Sequence, residues 1–143
     1  MKRMTLITLL SLFSSLLLAP SARTGVIFAS EAISPYERIW QAVIQIESSG
    51  NPLAVGDKNL KRHSYGIAQI RQSRLDDYYR QTGIRYYETD MFCPVKSKEV
   101  FMFYASQCHY SEVERISRLW NGGNKGMQKK ATIPYWKKIT KHL

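Results

Sequence analysis

Apolar positions recur with a helical period in several separate segments of this chain, and those periods set most of its expected architecture. Tyr36, Trp40, Val43 and Glu47 follow one another at spacings of 4, 3 and 4, which places all four on one helix face. Ile39, Ile44 and Ile46 widen the apolar side, so Glu47 falls at the end of an apolar stripe rather than on the wetted face. Ser34-Pro35-Tyr36-Glu37 predicts the start of that helix, with serine at the N-cap, proline at the first helical position and glutamate closing a capping box. Gly50 with Asn51-Pro52 predicts its end.

The helical period lapses over residues 53–70. Val55-Gly56-Asp57, a polar stretch over 58–63 and then Tyr65-Gly66-Ile67-Ala68-Gln69-Ile70 predict a short extended hairpin or looped lobe. A helix is predicted from 73 to about 82, with Leu75, Tyr78 and Tyr79 inward and Gly83 as its stop. An aromatic-rich loop leads to Pro94, and a helix over 97–109 carries Val100, Phe101, Phe103 and Tyr104. Ser111-Glu112-Val113-Glu114 reads as a second capping box, opening a helix with Val113, Ile116, Leu119 and Trp120 that stops at Asn121-Gly122-Gly123. A last basic helix covers about 132–141, with Ile133, Trp136 and Ile139 inward. The pattern is that of a mainly helical domain with one small extended lobe, without internal repeats.

The N-terminus follows a different logic. Lys2 and Arg3 precede an apolar run over 4–18 and then small residues, the layout of a secretory signal peptide. The run is too short and too serine-rich for a comfortable membrane span. Cleavage is expected between about residues 21 and 29, leaving one domain over 30–143 that is exported to the periplasm or the exterior. No cysteine lies near the junction, so no stable membrane anchor is expected after cleavage.

The formal charge is +10, and removal of Lys2 and Arg3 leaves +8, because no acid goes with them. A basic exported protein suits an anionic partner such as cell wall, membrane surface or nucleic acid. The export signal and the lack of any nucleic-acid motif argue against nucleic acid. Lys125, Lys129, Lys130, Lys137, Lys138 and Lys141 crowd the C-terminal region, either as a solvated helix face or as an adhesive surface for anionic wall polymer. Cys93 and Cys108 enclose fourteen residues. In an oxidising compartment they can pair, which would stabilise by about 3 kcal/mol, or they are two separate buried thiols. His109 beside Cys108 makes no metal site, since no second pair supplies four ligands, and neither metal nor cofactor is expected.

Glu47 is the residue whose setting implies chemistry. A carboxylate at a helix C-terminus faces the negative end of the macrodipole, and an apolar face adds desolvation in the same direction. Both hold the acid protonated nearer neutral pH, as protonation of a glycosidic oxygen requires. The segment Glu47-Ser48-Ser49-Gly50-Asn51-Pro52, then Tyr65-Gly66-Ile67-Ala68-Gln69-Ile70, then Leu119-Trp120-Asn121-Gly122-Gly123 resembles, in that order, the lytic transglycosylase and lysozyme-like superfamily. The resemblance implies an α+β lysozyme-like fold in which a helical domain and a hairpin lobe flank a glycan-binding cleft.

It also implies roles. Glu47 would be the catalytic acid/base. Ser48, Tyr65, Gly66, Gln69, Trp120 and Asn121 would meet substrate: Gln69 by its amide, Gly66 by leaving room for a sugar ring, Tyr65 by stacking. Trp120 stands where the family usually has tyrosine, and an indole can only donate where a phenol could also accept. Ala68 replaces a bulkier methionine or leucine. The partner would be the glycan strand of peptidoglycan, acted on by a monomer, in a setting such as a wall-spanning secretion or conjugation machine.

Hydrolysing glycosidases usually use a carboxylate pair. Of the eleven acids, most are explained by helix starts, Asp76 and Asp77 among them, and Asp57 alone lies in the extended lobe. Some animal-type lysozymes carry aspartate just before Tyr-Gly-Ile, where this chain has Ser64. The empty slot favours a lytic transglycosylase with 1,6-anhydro-MurNAc ends. The alternatives are a muramidase using Asp57 as second carboxylate, and a glycan-binding module without catalysis.

Overall fold

The computed structural model describes residues 34–143, and the predicted signal segment lies outside them. Helix α1 (Glu37–Ser48) buries Ile39, Trp40, Ala42 and Val43, the stripe expected from their spacing. Its start differs from the expected capping box. Tyr36 is the N-cap without a side-chain bond, and Ser34 closes a turn by accepting the Glu37 N–H at 2.8 Å. Glu37 instead bonds Lys98 at 2.7 Å and Gln41 at 3.0 Å, so its carboxylate is engaged by a lysine distant in sequence rather than by the chain at the helix start. At the other end Ser49 enters the left-handed region (φ 53°), and the N–H groups of Ser49 and Gly50 return to the carbonyls of Gln45 and Ile44.

Strands β1 (Val55–Gly56) and β2 (Ser64–Tyr65) form an antiparallel hairpin, with Val55 opposite Tyr65 and Gly56 opposite Ser64. Tyr65 and Ile70 exchange two further bonds, which folds the lobe back on itself. Helix α2 (Gln72–Thr82) stops at Gly83, whose φ is 75°. It buries Leu75 and Tyr78, but Tyr79 is exposed, contrary to expectation. Adjacent helical positions lie about 100° apart; Tyr78 takes the inward one and donates to Glu99 at 2.7 Å, while Tyr79 carries the Arg85 guanidinium on its face.

Helix α3 (Pro94–Ala105) starts three residues before its predicted position, with proline in the first turn. That placement overturns the disulfide. Cys93 caps the start of α3, Cys108 lies beyond its end, and both are free thiols. Twelve helical residues put about 18 Å between them, where a disulfide needs Cα atoms within about 7 Å.

Helix α4 (Val113–Gly122) has Glu112, not Ser111, at its N-cap position and no side-chain cap: Glu112 accepts the His109 N–H at 2.9 Å, and Glu114 is drawn to Arg118 at 2.6 Å. Helix α5 (Ile133–Thr140) buries Tyr135 and Ile139, so its inward face is turned toward Tyr135, while Ile133 and Trp136 are only half-buried.

Phe101 of α3 is the centre of the core, with Trp40 of α1 and Trp120 of α4 at ring-centroid distances of 5.3 and 5.2 Å. Val43, Leu75, Met91, Val100 and Ile139 are sealed around it. The architecture is therefore mainly helical, with five α-helices and a two-stranded hairpin among the described residues.

The hairpin lobe docks through Gly66 (φ 75°). A Cβ there would sit 1.8 Å from the carbonyl oxygen of Met91, in the 3-10 turn Glu88–Phe92. Close packing against protein, not room for a sugar ring, is what excludes a side chain at Gly66. Gly66→Ala combines an unfavourable φ with a backbone clash. A loss of about 3 kcal/mol or more is expected, read as a fall in Tm and in the denaturant midpoint.

Candidate active site

Four helices bring one side chain each to a single point. Glu47 is contributed by the last turn of α1, where the apolar stripe ends. Tyr135 reaches it from α5 and donates its hydroxyl to Glu47 Oε1 at 2.7 Å. Trp120 closes one side from the end of α4, and Arg74 comes from α2. The open side is a cleft of 530 Å³ lined by Glu47, Gln69, Arg74, Asp77, Trp120 and Asn124, with more basic residues at its rim.

Burial pushes the Glu47 carboxyl above its ordinary value of 4.5. The Tyr135 hydroxyl, the charge of Arg74 and, most weakly, the Trp120 indole oppose the rise, while the charge of Asp57 adds to it. Burial wins. The helix end works the same way, since the C-terminal dipole disfavours a second negative charge there. Tyr135 is itself pushed far up by burial and by its carboxylate neighbour, so it remains a donor at any physiological pH.

Among the described residues no carboxylate forms an ion pair with Arg74. Its guanidinium donates to the Trp120 carbonyl at 2.6 Å and lies over the rings of Trp120 and Tyr104, 4.4 and 4.8 Å from their centroids. Burial lowers its pKa, so this cation and the Glu47 anion each compensate a cost the other bears. Tyr104 donates to Asp77 at 2.9 Å, and Arg80 and Gln81 donate to the same carboxylate. Burial would raise Asp77, but those three donors hold it below the usual carboxylate value.

The residues expected at the site divide into several groups. Glu47, Gln69 and Trp120 line the cleft. Gln69 is spent on the hairpin: its Nε2 donates to Gly66 O at 2.9 Å and Ala54 O at 3.2 Å, and its Oε1 accepts from Ser64 at 2.7 Å. Gly56 has no Cβ because that amide fills the space. Ser48 donates to the Ile67 carbonyl at 2.7 Å and so ties α1 to the lobe. Tyr65 packs edge-on against Phe92 outside the cleft lining.

Asn121 is exposed and outside the cleft lining; the chain leaves α4 at Gly123, and Asn124 is the asparagine that lines the cleft. Asp57 also lies outside the lining. Both Nε and Nη2 of Arg71 bond its Oδ2, at 3.0 and 2.7 Å, and that bonding keeps its carboxyl below the usual value.

The cleft wall over 123–132 consists of two 3-10 turns, Gly123–Gln128 and Lys130–Thr132, with little apolar burial of its own. Arg118 secures it from within the core. Its guanidinium bonds Glu114, Thr132 Oγ1 and the Met127 carbonyl at 2.6, 3.0 and 2.7 Å. Thr132 Oγ1 lies 2.8 Å from the carbonyls of both Gly126 and Lys129.

Sequence reasoning missed Tyr135, Arg74, Tyr104 and Asp77. Only Trp120, occupying the position where the resemblance expects tyrosine, signalled that a phenol had to arrive from elsewhere. Arg74 and Asp77 share a face of α2 at i, i+3, but Trp120 and Tyr104, which fix them in the cleft, come from other helices.

Comparison with known proteins gives three findings. The sequence matches the Transglycosylase SLT domain family over residues 27–142. No curated protein matches it. A chain in the crystal structure of Aeromonas hydrophila PliI in complex with Meretrix lusoria lysozyme has a TM-score of 0.59 at 20% identity, covering 73% of this chain and 88% of that one. At that identity the likeness is one of fold.

Folding raises the Glu47 pKa, so the native state holds this proton more tightly than the unfolded chain. The stability this contributes is complete below the unfolded value and is lost as pH rises through the native one. Glu47→Gln stays neutral and still accepts from Tyr135. It is expected to melt above wild type at pH 7, with the gap closing toward pH 4. Tyr135→Phe is expected to cost about 1–3 kcal/mol at pH 7, and less at pH 4 where Glu47 is neutral, measured by denaturant titration at both pH values.

Proposed function

This chain belongs to the transglycosylase SLT domain family, and on that footing we propose that it is a lytic transglycosylase that cleaves the β-1,4 bond between MurNAc and GlcNAc in peptidoglycan, with Glu47 as its single acid/base. The observation that carries the reading is one partly buried carboxyl, raised in pKa, opening onto a cleft and held by a tyrosine hydroxyl.

The steps follow from that setting. Protonated Glu47 gives its proton to the glycosidic oxygen as the bond to C1 of MurNAc breaks. The resulting carboxylate is stabilised by the Tyr135 hydroxyl and by the nearby charge of Arg74. It then accepts the proton of the MurNAc C6 hydroxyl while that oxygen bonds to C1. The product is a 1,6-anhydro end, Glu47 is again protonated, and no water is consumed.

The other carboxylates support this course over hydrolysis. Asp57 is ion-paired to Arg71 outside the cleft, and Asp77 inside it is occupied by three donors. Both carboxyls are held below the usual value, so neither has the raised basicity that activation of a water requires. In this reading Trp120 and Gln69 shape the walls, Ser48 and Tyr65 act at one remove by positioning the lobe, and Asn124 serves where Asn121 was expected. The substrate lies outside the inner membrane, so the protein is exported, to the periplasm or beyond it.

Incubated with purified sacculi, wild type is expected to release muropeptides with 1,6-anhydro ends by mass spectrometry. Glu47→Gln should slow their release by about 10²–10⁴-fold. Products heavier by one water would replace the transglycosylase with a hydrolase. Tyr135→Phe, by removing a bond that lowers the Glu47 pKa, should move the alkaline limb of the pH–rate profile upward.

A further inference from the structure

The charge of the cleft exceeds what an N-acetylated glycan chain calls for. Five cations line it against two acids, and one of those acids, Glu47, is biased toward its neutral form. Two of the cations are already committed. Arg71 is bonded by Asp57, and Arg74 is enclosed by Trp120 and Tyr104.

Arg80, Lys125 and Lys129 are exposed at the rim as Arg71 is, but none of them is held by a two-pronged bond to a carboxylate. Arg80 holds Asp77 at 3.0 Å with a side chain 67% exposed, a pairing of little net strength that a second carboxylate can share. Lys125 has no acidic partner among the described residues. Lys129 uses one of its three protons on the Gly122 carbonyl at 2.7 Å.

Their placement is ordered. Arg80 follows Arg74 by six residues on α2, which carries it about 9 Å further along the helix axis. Lys125 and Lys129 come from the segment secured by Arg118, whose backbone is fixed. The rim cations therefore frame the cleft beyond the reacting bond rather than at it. A strand entering there brings anionic groups from one covalent source: the lactyl arms are amide-linked to stem peptides, and the free carboxylates are those of the peptides.

We propose that Arg80, Lys125 and Lys129 form a carboxylate-reading strip that selects glycan strands still bearing acidic stem peptides. This rests on the transglycosylase reading for its substrate, but its energetics do not depend on the chemical step. Arg80 supplies a planar fork for a carboxylate, and the lysines supply point charges that tolerate varied peptide positions.

The test separates binding from cleavage. Retention of Glu47→Gln is measured on sacculi freed of attached phosphate polymers, either native or with peptide carboxyls converted to neutral amides. Binding is expected to be about tenfold weaker on the amidated material, as three exposed pairs would give, with a matching fall in wild-type turnover. The native-to-amidated ratio should collapse to about one in an Arg80→Gln/Lys125→Gln/Lys129→Gln variant. It should shrink part-way in Lys125→Gln alone, an exposed substitution that leaves the fold intact.

Equal retention and turnover on both materials would overturn the strip while leaving 1,6-anhydro products, and the Glu47 reading, in place. Charge-dependent retention seen only before the phosphate polymers are removed would also overturn it. Retention that depends on peptide carboxylates, without anhydro ends from either material, would support the strip and reject the catalytic reading.

Discussion

The bond from Tyr135 to Glu47 joins residues 88 positions apart, and the site depends on it. A carboxyl at a helix C-terminus, with apolar neighbours, meets an unfavourable dipole and loses hydration. Left alone it would turn outward to water, and the cleft would have no acid at its floor. One donated hydrogen bond at 2.7 Å makes the inward position tenable without neutralising the penalty that keeps the pKa high. The bond needs α1 and α5 in contact, and these helices do pack together, with Val43 of one and Ile139 of the other fully buried in the core. Core packing and acid placement are therefore one constraint.

The walls of the cleft are held by a different kind of force. Short 3-10 turns and a two-residue hairpin bury too little apolar surface to position themselves. Polar side chains do it instead: Gln69 fills the inside of the hairpin, Ser48 fastens the hairpin to α1, and Arg118 grips the backbone of the opposite wall. Each of these bonds ends on a main-chain carbonyl, so each fixes a path of the chain rather than a side-chain rotamer. The same economy explains Gly66 and Gly126, where a Cβ would strike a carbonyl of the neighbouring segment.

Electrostatics at the floor are balanced between two groups that burial disfavours in opposite senses. Burial raises Glu47 and lowers Arg74, and their mutual attraction limits both shifts. When Glu47 loses its proton, the carboxylate has a cation beside it and a hydroxyl bonded to it, the arrangement that the proposed acid/base role draws on. Further out, cations outnumber acids and the balance is no longer local.

The stripe Ile39, Trp40, Val43 and the position of Glu47 at its end were legible in the chain, because helical spacing is a property of neighbours three and four apart. The hairpin was legible from the lapse of that period between turn residues, and the stops at Gly50 and Gly83 from glycine's tolerance of positive φ. What failed were assignments that depend on competition between partners. Glu37 and Glu114 left their expected caps for Lys98 and Arg118, and Tyr79 lost the inward position to Tyr78. Cys93 and Cys108 were separated by the helix between them. Trp120 marked the absence of a phenol at its own position, but nothing near Tyr135 in the chain marks it as the replacement. By itself, then, the sequence determined the helices, the lobe and the acid, which follow from local periodicity. Only the tertiary structure decided what surrounds the acid, because Tyr135, Arg74 and Trp120 reach it from three helices whose approach is set by how the core packs.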